Sequence, residues 1–156
     1  FNIFKMKVLL VCLGNICRSP MAEGILRKKA EALQVNIQID SAGTGNWHAG
    51  EHPDPRAIAT ARTFDVNISK LVARQFKAMD FDEFDEIFAM DNQNFKDILS
   101  KARNDSDKMK VRLFLDLIPA KQNKDVPDPW FGGDEGFTDV FHLLEEACDH
   151  YLNNNS

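Results

Sequence analysis

Residues 8–20 read Val-Leu-Leu-Val-Cys-Leu-Gly-Asn-Ile-Cys-Arg-Ser-Pro and determine how the chain must fold. The apolar run 8–11 is typical of a strand buried on both faces of a parallel sheet. Ser19 and Pro20 then supply a helix N-cap and a proline for the first helical turn. The stretch therefore predicts a strand, a short loop and a helix in immediate succession.

The loop between this strand and this helix carries residue types that bind an oxyanion. Backbone N–H groups of a glycine-containing turn, together with the positive end of the following helix, form an anion site. We expect Cys12 to face that site as a thiolate, and Arg18 has a planar fork that matches two phosphate oxygens. The spacing predicts a loop that wraps a phosphate above a nucleophile. The alternative is a buried cysteine that ends a strand beside a surface arginine.

The rest of the chain alternates strand-like apolar runs with helical patterns. This alternation predicts an α/β, single-domain, three-layer fold with a central parallel four-stranded sheet and helices on both faces. Ligands of such sheets bind beyond the carboxyl ends of the strands, where Cys12 would emerge. Further strands are predicted at 35–40, 86–90 and 111–115, helices at 20–33, 54–64, 92–103 and 136–152, long loops at 41–53 and 121–135, and a solvated turn at 105–110.

Length, charge and cysteine content limit the class of protein. The 156 residues fit one domain, for which we expect residues 6–156, with residues 1–5 as an N-terminal extension or remnant. A net charge of −5 argues against nucleic acid or an anionic membrane as a partner. No apolar run is long enough to cross a bilayer. Three cysteines without a disulfide framework favour a reducing, cytoplasmic location.

Two stretches carry a resemblance to a known family. Residues 11–20 resemble the signature of the low-molecular-weight protein tyrosine phosphatases, and Asp128-Pro129-Trp130 resembles the general-acid loop of that family. The similarity extends over essentially the whole chain, including residues 40–44 and 73–75. The resemblance implies hydrolysis of protein phosphotyrosine and of small aryl phosphates through a cysteinyl-phosphate intermediate, without a cofactor or a metal.

The resemblance also assigns the catalytic roles. Cys12 is the nucleophile, Arg18 holds the phosphoryl oxygens, and Asp128 first protonates the leaving tyrosine oxygen and then activates water. A departing phenolate is the anion of a group with a pKa near 10, so its protonation lowers the barrier. On its own, Pro-Asp-Pro is more often a plain turn. The remaining phosphate-binding residues are expected to be Leu13, Gly14, Asn15, Ile16, Cys17 and Ser19.

Several residues are expected to support this loop. Asn15 resembles the family's loop asparagine, held by a serine that matches Ser41 in a strained conformation that Asn tolerates. Ser19 is expected to hydrogen-bond the Cys12 sulfur as well as cap the helix. Cys17 is the expected redox partner of Cys12, since a reversible disulfide would protect the nucleophile from over-oxidation. The alternative for Cys17 is a small side chain that packs under the loop.

Aromatic residues on the two long loops are expected to form the walls of the substrate pocket. Trp47, Trp130 and Phe131 would enclose a slot deep enough for a phosphorylated aromatic ring, although each could instead pack against its own loop. Many eukaryotic relatives carry two tyrosines where this chain has Trp130-Phe131, so phosphorylation cannot control that position. Leu71 replaces a histidine of several relatives, and Tyr151, the only tyrosine, is expected to face the core.

The sequence leaves rival functions open. Arsenate-reducing relatives need further cysteines near residues 78–91, and relatives that hydrolyse phosphoarginine tend to have threonine where Ile16 stands; both are disfavoured. A phosphotyrosine-binding module or a thiol redox sensor is the alternative to an enzyme.

His48 and His52 are four residues apart, but Gly50 and Pro53 argue against a helix that presents both to a metal. Expected partners are phosphotyrosine proteins, with phosphate, vanadate or sulfate as active-site anions.

Overall fold

Four parallel strands form the centre of the computed structural model, which describes residues 5–155, so residues 1–4 of the expected extension lie outside it. The strands are β1 (Met6–Cys12), β2 (Ile37–Gly43), β3 (Glu86–Ala89) and β4 (Val111–Leu113), in the order β2-β1-β3-β4. The helices are α1 (Arg18–Ala32), α2 (Pro55–Thr63), α3 (Asp80–Glu83), α4 (Asn92–Leu99), α5 (Asp105–Met109) and α6 (Asp134–Asn155). Short 3₁₀ turns lie at Phe114–Leu117 and Pro129–Phe131.

The central strand β1 separates two apolar layers. Its side chains alternate between the two faces of the sheet. Val8 and Leu10 join the larger cluster, to which α1, α2 and α6 contribute, whereas Leu9 and Val11 join a smaller one. All four are completely buried, and burial of each such side chain contributes about 1.5–3 kcal/mol. The predicted three-layer α/β fold with a parallel four-stranded sheet is confirmed.

The first helix begins and ends differently from the prediction. It starts at Arg18, with Cys17 at the N-cap position and no side-chain capping bond. The prediction of Ser19 as a cap was therefore wrong, and its hydroxyl is used elsewhere. At the other end, α1 stops at Ala32 and Gln34 takes a positive φ of 57°. Leu33, expected on the buried stripe, is consequently 57% exposed.

Other differences lie between β3 and β4. Helix α4 ends at Leu99, four residues before the predicted end at residue 103. The expected solvated turn contains a short helix, α5, because the Asn104 side chain caps it by accepting from the Asp107 N–H at 2.8 Å. Asp107 is itself buried and accepts from Arg103 Nε at 2.8 Å. The short helix α3 was not predicted.

The sheet brings distant parts of the sequence together at one edge. Because β1 and β3 are parallel neighbours, the residues that follow them emerge side by side. Cys12 ends β1, and Asp91 comes two residues after the end of β3.

Within residues 5–155, no helix is both long and apolar enough to span a membrane.

Candidate active site

Residues 12–19, called here the phosphate loop, fold around the sulfur of Cys12. The Asn15 backbone N–H lies 3.3 Å from Cys12 Sγ and donates to it. The Ser19 hydroxyl lies 3.0 Å from the same sulfur. Helix α1 starts at Arg18, so the last two residues of the loop form its first turn and its positive end faces the same space. These groups stabilise negative charge both on the sulfur and on an anion bound above it.

Asn15 holds the loop in its curved shape. Its φ is 58°, in the left-handed region that asparagine enters more readily than most residues. Its side-chain amide donates to Ser19 Oγ at 2.7 Å and to Ser41 Oγ at 3.0 Å, and its carbonyl oxygen accepts from the Arg74 N–H at 3.0 Å. Ser41 in turn donates to the buried Glu23 at 2.6 Å. The structure thus brings Ser41 and Ser19 to Asn15. None of these contacts involves position 71, where this chain has leucine in place of the histidine of several relatives.

Gly43, at the end of β2, allows the phosphate loop to pack closely against the sheet. A Cβ atom at this position would lie 2.7 Å from the Leu13 carbonyl oxygen and 3.1 Å from the Asn15 nitrogen. Both neighbours are backbone atoms that cannot rotate away. A residue without a side chain is therefore required here.

Arg18 is a buried charge with compensating partners. Its side chain is 3% exposed, and Nη1 donates to Asp91 Oδ2 at 2.7 Å and to the Val126 carbonyl oxygen at 3.0 Å. Nη2 lies 3.8 Å from Asp128 Oδ2. Burial opposes its charge, but Cys12 and Asp91 outweigh that effect and raise the pKa of Arg18 above its ordinary value. The guanidinium is therefore charged and held in one orientation.

Asp91 was missed by the sequence analysis. One carboxylate oxygen accepts from Arg18, and the other caps α4 by accepting from the Asn94 N–H at 2.7 Å. The signal available in the sequence was an aspartate directly after a predicted strand and before a predicted helix. That position marks an N-cap, but the contact with Arg18 follows only from the pairing of β1 with β3.

We expect Asp91→Asn to lower kcat/KM for an aryl phosphate about 10- to 100-fold, the range of a lost charge-assisted hydrogen bond. Asparagine caps helices about as well as aspartate, so any loss of stability in urea unfolding should come from the broken pair with the buried Arg18. Asp91→Ala is the matched variant, since it removes both functions. An Asp91→Asn enzyme with unchanged kcat/KM would show that Asp91 serves only the helix.

Asp128 lies at the mouth of the same site. It precedes the 3₁₀ turn, and residues 128–131 are called here the acid turn. Its Oδ1 accepts from the Trp130 N–H at 3.0 Å, which orients the carboxylate, while Oδ2 points towards Arg18. The side chain is 31% exposed. A proton on this carboxyl can therefore reach a group bound over the phosphate loop.

A cavity of about 150 Å³ opens above the loop. Cys12 and Arg18, with 2% and 3% exposure, lie deepest, whereas Trp47 and Phe131 are 69% and 87% exposed. The predicted aromatic residues all line the cavity, although Trp47 also packs over Gly45 of its own loop. The lining residues are Cys12, Leu13, Gly14, Ile16, Cys17, Arg18, Trp47, His48, Asp128, Trp130 and Phe131.

The three cysteines are free thiols in different settings. Cys17 lines the cavity with Cys12, and burial, followed by the charge of Asp54, raises the pKa of its thiol. Cys148 is completely buried on α6, and burial raises the pKa of its thiol as well. Within the part of the chain that the structure describes, no three His, Cys, Asp or Glu residues are placed to hold a metal ion.

Comparison with known proteins identifies the family. The sequence profile described as low molecular weight phosphotyrosine protein phosphatase matches residues 7–155. The chain belongs to that family. A putative low molecular weight protein-tyrosine-phosphatase of Synechocystis is 42% identical over 149 residues, which cover 94% of each chain. The chain is therefore a protein-tyrosine phosphatase. The family resemblance that was predicted from the sequence is confirmed.

Solved structures agree with this assignment of the phosphatase. A protein tyrosine phosphatase from Entamoeba histolytica, with Hepes in its active site, superposes with a TM-score of 0.91 at 35% identity and covers 97% of each chain. A Drosophila arginine phosphatase also superposes at 0.91, with 34% identity, over 97% of this chain and 98% of its own. The backbone is common to both activities, so individual side chains must distinguish between them.

Proposed function

We propose that this phosphatase hydrolyses protein phosphotyrosine and small aryl phosphates through a cysteinyl-phosphate intermediate. The observation that carries the proposal is the position of Arg18, which lies beside Cys12 in the cavity and approaches Asp128 at 3.8 Å. A nucleophile, an oxyanion-binding guanidinium and a carboxyl group therefore converge on one phosphoryl-sized space. This arrangement is what transfer of a phosphoryl group to sulfur requires.

In the first step, the loop N–H groups and Arg18 hold the phosphoryl oxygens while the Cys12 thiolate attacks phosphorus in line. The S–P bond forms as the bond between phosphorus and the tyrosine oxygen breaks. Asp128 gives its proton to the departing oxygen, so no free phenolate is released.

In the second step, the Asp128 carboxylate removes a proton from a water molecule, which attacks phosphorus. The S–P bond breaks, phosphate leaves, and both the thiolate and the protonated Asp128 are restored. The same oxygens contact Arg18 in both steps. Free phosphate, vanadate and sulfate are therefore expected to occupy the loop as competing anions.

The side chains of the cavity support phosphotyrosine as the substrate class. Trp47, Trp130 and Phe131 stand above a deep Cys12, so a phosphate on a long aromatic side chain reaches the sulfur while phosphoserine is too short. Ile16 lines the cavity where phosphoarginine-hydrolysing relatives tend to have threonine. We therefore propose phosphotyrosine proteins as the partners rather than phosphoarginine proteins.

We place the enzyme in the reducing cytoplasm, because its three cysteines are free thiols and one of them is the nucleophile. A net charge of −5 disfavours nucleic acid and anionic membranes as partners. We assign the catalytic domain to residues 6–156.

The decisive experiment compares initial rates on a phosphotyrosine peptide, p-nitrophenyl phosphate, a phosphoserine peptide, phosphoarginine and arsenate, with and without vanadate. We expect vanadate-sensitive hydrolysis of the first two and a phosphoserine rate lower by about 100-fold or more, the discrimination that a depth-selective pocket can reach. Rapid acid quenching should trap phosphate on Cys12. Faster hydrolysis of phosphoarginine, or reduction of arsenate, would overturn the assignment.

We further propose that Cys17 protects Cys12 from irreversible oxidation. Peroxide oxidises the Cys12 thiolate to a sulfenic acid, and the Cys17 sulfur then attacks it, forming a disulfide and releasing water. Burial of Cys17 keeps it protonated, so Cys12 is the sulfur that reacts first.

The redox role predicts a difference between wild type and Cys17→Ser. After peroxide treatment, dithiothreitol should restore most of the wild-type activity but little of the activity of the variant. Mass spectrometry should find the Cys12–Cys17 disulfide only in wild type. Equal recovery in both proteins would leave Cys17 as a packing residue.

The same assay, taken with the substrate comparison above, tests the alternative of a thiol sensor. A sensor without phosphatase activity would form the disulfide but would hydrolyse none of the substrates.

A further inference from the structure

Arg56, in the first turn of α2, lies between the phosphate loop and the acid turn. Its Nη2 and Nε donate to the Asp54 carboxylate at 3.0 and 3.1 Å, and its backbone N–H donates to the same group at 2.8 Å. The Asp54 side chain is only 6% exposed, against 37% for Arg56. Burial disfavours the Asp54 charge, but Arg56 outweighs this effect and holds the pKa of that carboxyl below its ordinary value. The pair is therefore a fixed ionic unit.

This unit is attached to the phosphate loop. The Asp54 backbone N–H donates to the Ile16 carbonyl oxygen at 2.9 Å, so the residue that holds Arg56 is bonded to the loop that holds Cys12. Any displacement of Asp54 would therefore disturb a loop whose other contacts are already fixed by Asn15.

The other side of Arg56 contacts the acid turn. Its guanidinium carbon lies 5.4 Å from the centre of the Trp130 ring and 4.8 Å from that of Phe137, at cation–π distance. Nη1 donates to the Trp130 carbonyl oxygen at 3.4 Å. Trp130 is also the residue whose N–H holds Asp128 Oδ1. The contacts thus run without a gap from Ile16 through Asp54, Arg56 and Trp130 to Asp128.

We propose that Arg56 is a positioning residue for proton transfer, because it fixes the acid turn at the distance from the phosphate loop at which Asp128 reaches the leaving oxygen. The inference rests on the proposed role of Asp128 as the acid. Arg56 touches no reacting atom. Its removal should leave the thiolate and the phosphate site intact but let Trp130, and with it Asp128, move away. A misplaced catalytic group loses rate steeply with distance.

The test is Arg56→Ala, assayed on aryl phosphates whose phenols differ in pKa. We expect kcat/KM to fall about tenfold for phenyl phosphate, which needs the proton, and less than about twofold for a highly activated phenol, which does not. Competitive inhibition by inorganic phosphate should change less than about twofold, because Asp54 keeps its bonds to the backbone N–H of residue 56 and to the Ile16 carbonyl oxygen. Arg56→Lys, which keeps the charge but not the planar fork, should lose an intermediate amount with the same dependence on the leaving group.

Arg103→Ala is the matched control. Arg103 is 41% exposed, pairs with Asp107 at 2.8 Å and lies 6.0 Å from the Phe81 ring centre, away from the cavity. Its loss should lower stability as Arg56→Ala does without altering the dependence on the leaving group. Arg56→Ala should also add less than about twofold to the loss already caused by Asp128→Asn, since both act on one proton.

The outcomes separate the two ideas. Equal losses on all phenols from Arg56→Ala and Arg56→Lys, or full additivity with Asp128→Asn, would overturn the positioning role and leave Arg56 as a structural residue of α2. If Asp128→Asn itself shows no dependence on the leaving group, the proposed function fails instead.

Discussion

Replacing Cys12 with serine is expected to abolish turnover while inorganic phosphate still binds. Serine has nearly the same size, but its hydroxyl does not ionise at neutral pH, so the nucleophile is lost. Arg18 keeps its bonds to Asp91 and Val126, and Asn15 keeps its bonds to Ser41 and Arg74, so the groups that hold the anion should stay in place. Removal of an enzyme's nucleophile typically costs 10⁴-fold or more in kcat, so a loss of at least about 10⁴-fold is expected.

The measurement pairs steady-state rates on p-nitrophenyl phosphate with calorimetric titration of phosphate. Cys148→Ala is the control, because Cys148 is buried on α6 and does not line the cavity. It should keep wild-type kinetics with some loss of stability. Substantial phosphatase activity in Cys12→Ser would rule out the covalent route and, with it, the proposed mechanism.

Asp128→Asn is expected to slow aryl phosphates with basic leaving groups far more than those with good ones. Asparagine has the same shape and can still accept from the Trp130 N–H, so the acid turn should persist. It cannot supply a proton. General acid catalysis contributes about 10²- to 10⁴-fold, and the loss for phenyl phosphate should lie in that range.

The check is a plot of log kcat/KM against the pKa of the leaving phenol. We expect a much steeper negative slope for Asp128→Asn than for wild type, because charge accumulates on an oxygen that is no longer protonated. Asp125→Asn provides a matched control, since Asp125 belongs to the same segment and binds the Asn92 N–H at 2.8 Å rather than the site. Parallel lines for Asp128→Asn and wild type would refute the role of Asp128 as the acid.

Local patterns in the sequence located all four strands, although β2 ends at Gly43 instead of residue 40 and β4 ends at Leu113 instead of residue 115. The run before Cys12 is apolar at every position, which requires a strand covered on both faces, and Cys12 and Arg18 lie within one short loop. Helix ends were predicted less well, because the apolar pattern of a helix can continue past the residue at which the helix stops. Leu33 fits the apolar stripe of α1 but follows its last residue. The polar composition of residues 105–110 suggested a turn, but the Asn104 side chain caps a short helix there, α5.

The remaining site residues depend on contacts that no local pattern encodes. The role proposed for Asp128 comes only from the family resemblance, since Pro-Asp-Pro alone favours a turn. Asp91 is separated from Arg18 by 73 residues, and its contact exists because β3 lies beside β1. Arg56 reaches Trp130 across 74 residues for a similar reason. Such pairs become visible only when the order of the strands and the packing of the helices are known.

The positive φ of Asn15 and its fully used side-chain amide have a consequence for how the enzyme is inhibited. The loop is already preorganised in its curved shape, so an incoming tetrahedral dianion loses little affinity to ordering of the chain. Such a rigid cradle cannot distinguish an ester from the free ion by adapting to either. We therefore expect orthophosphate, the product, to bind the loop again and to compete with the next substrate molecule.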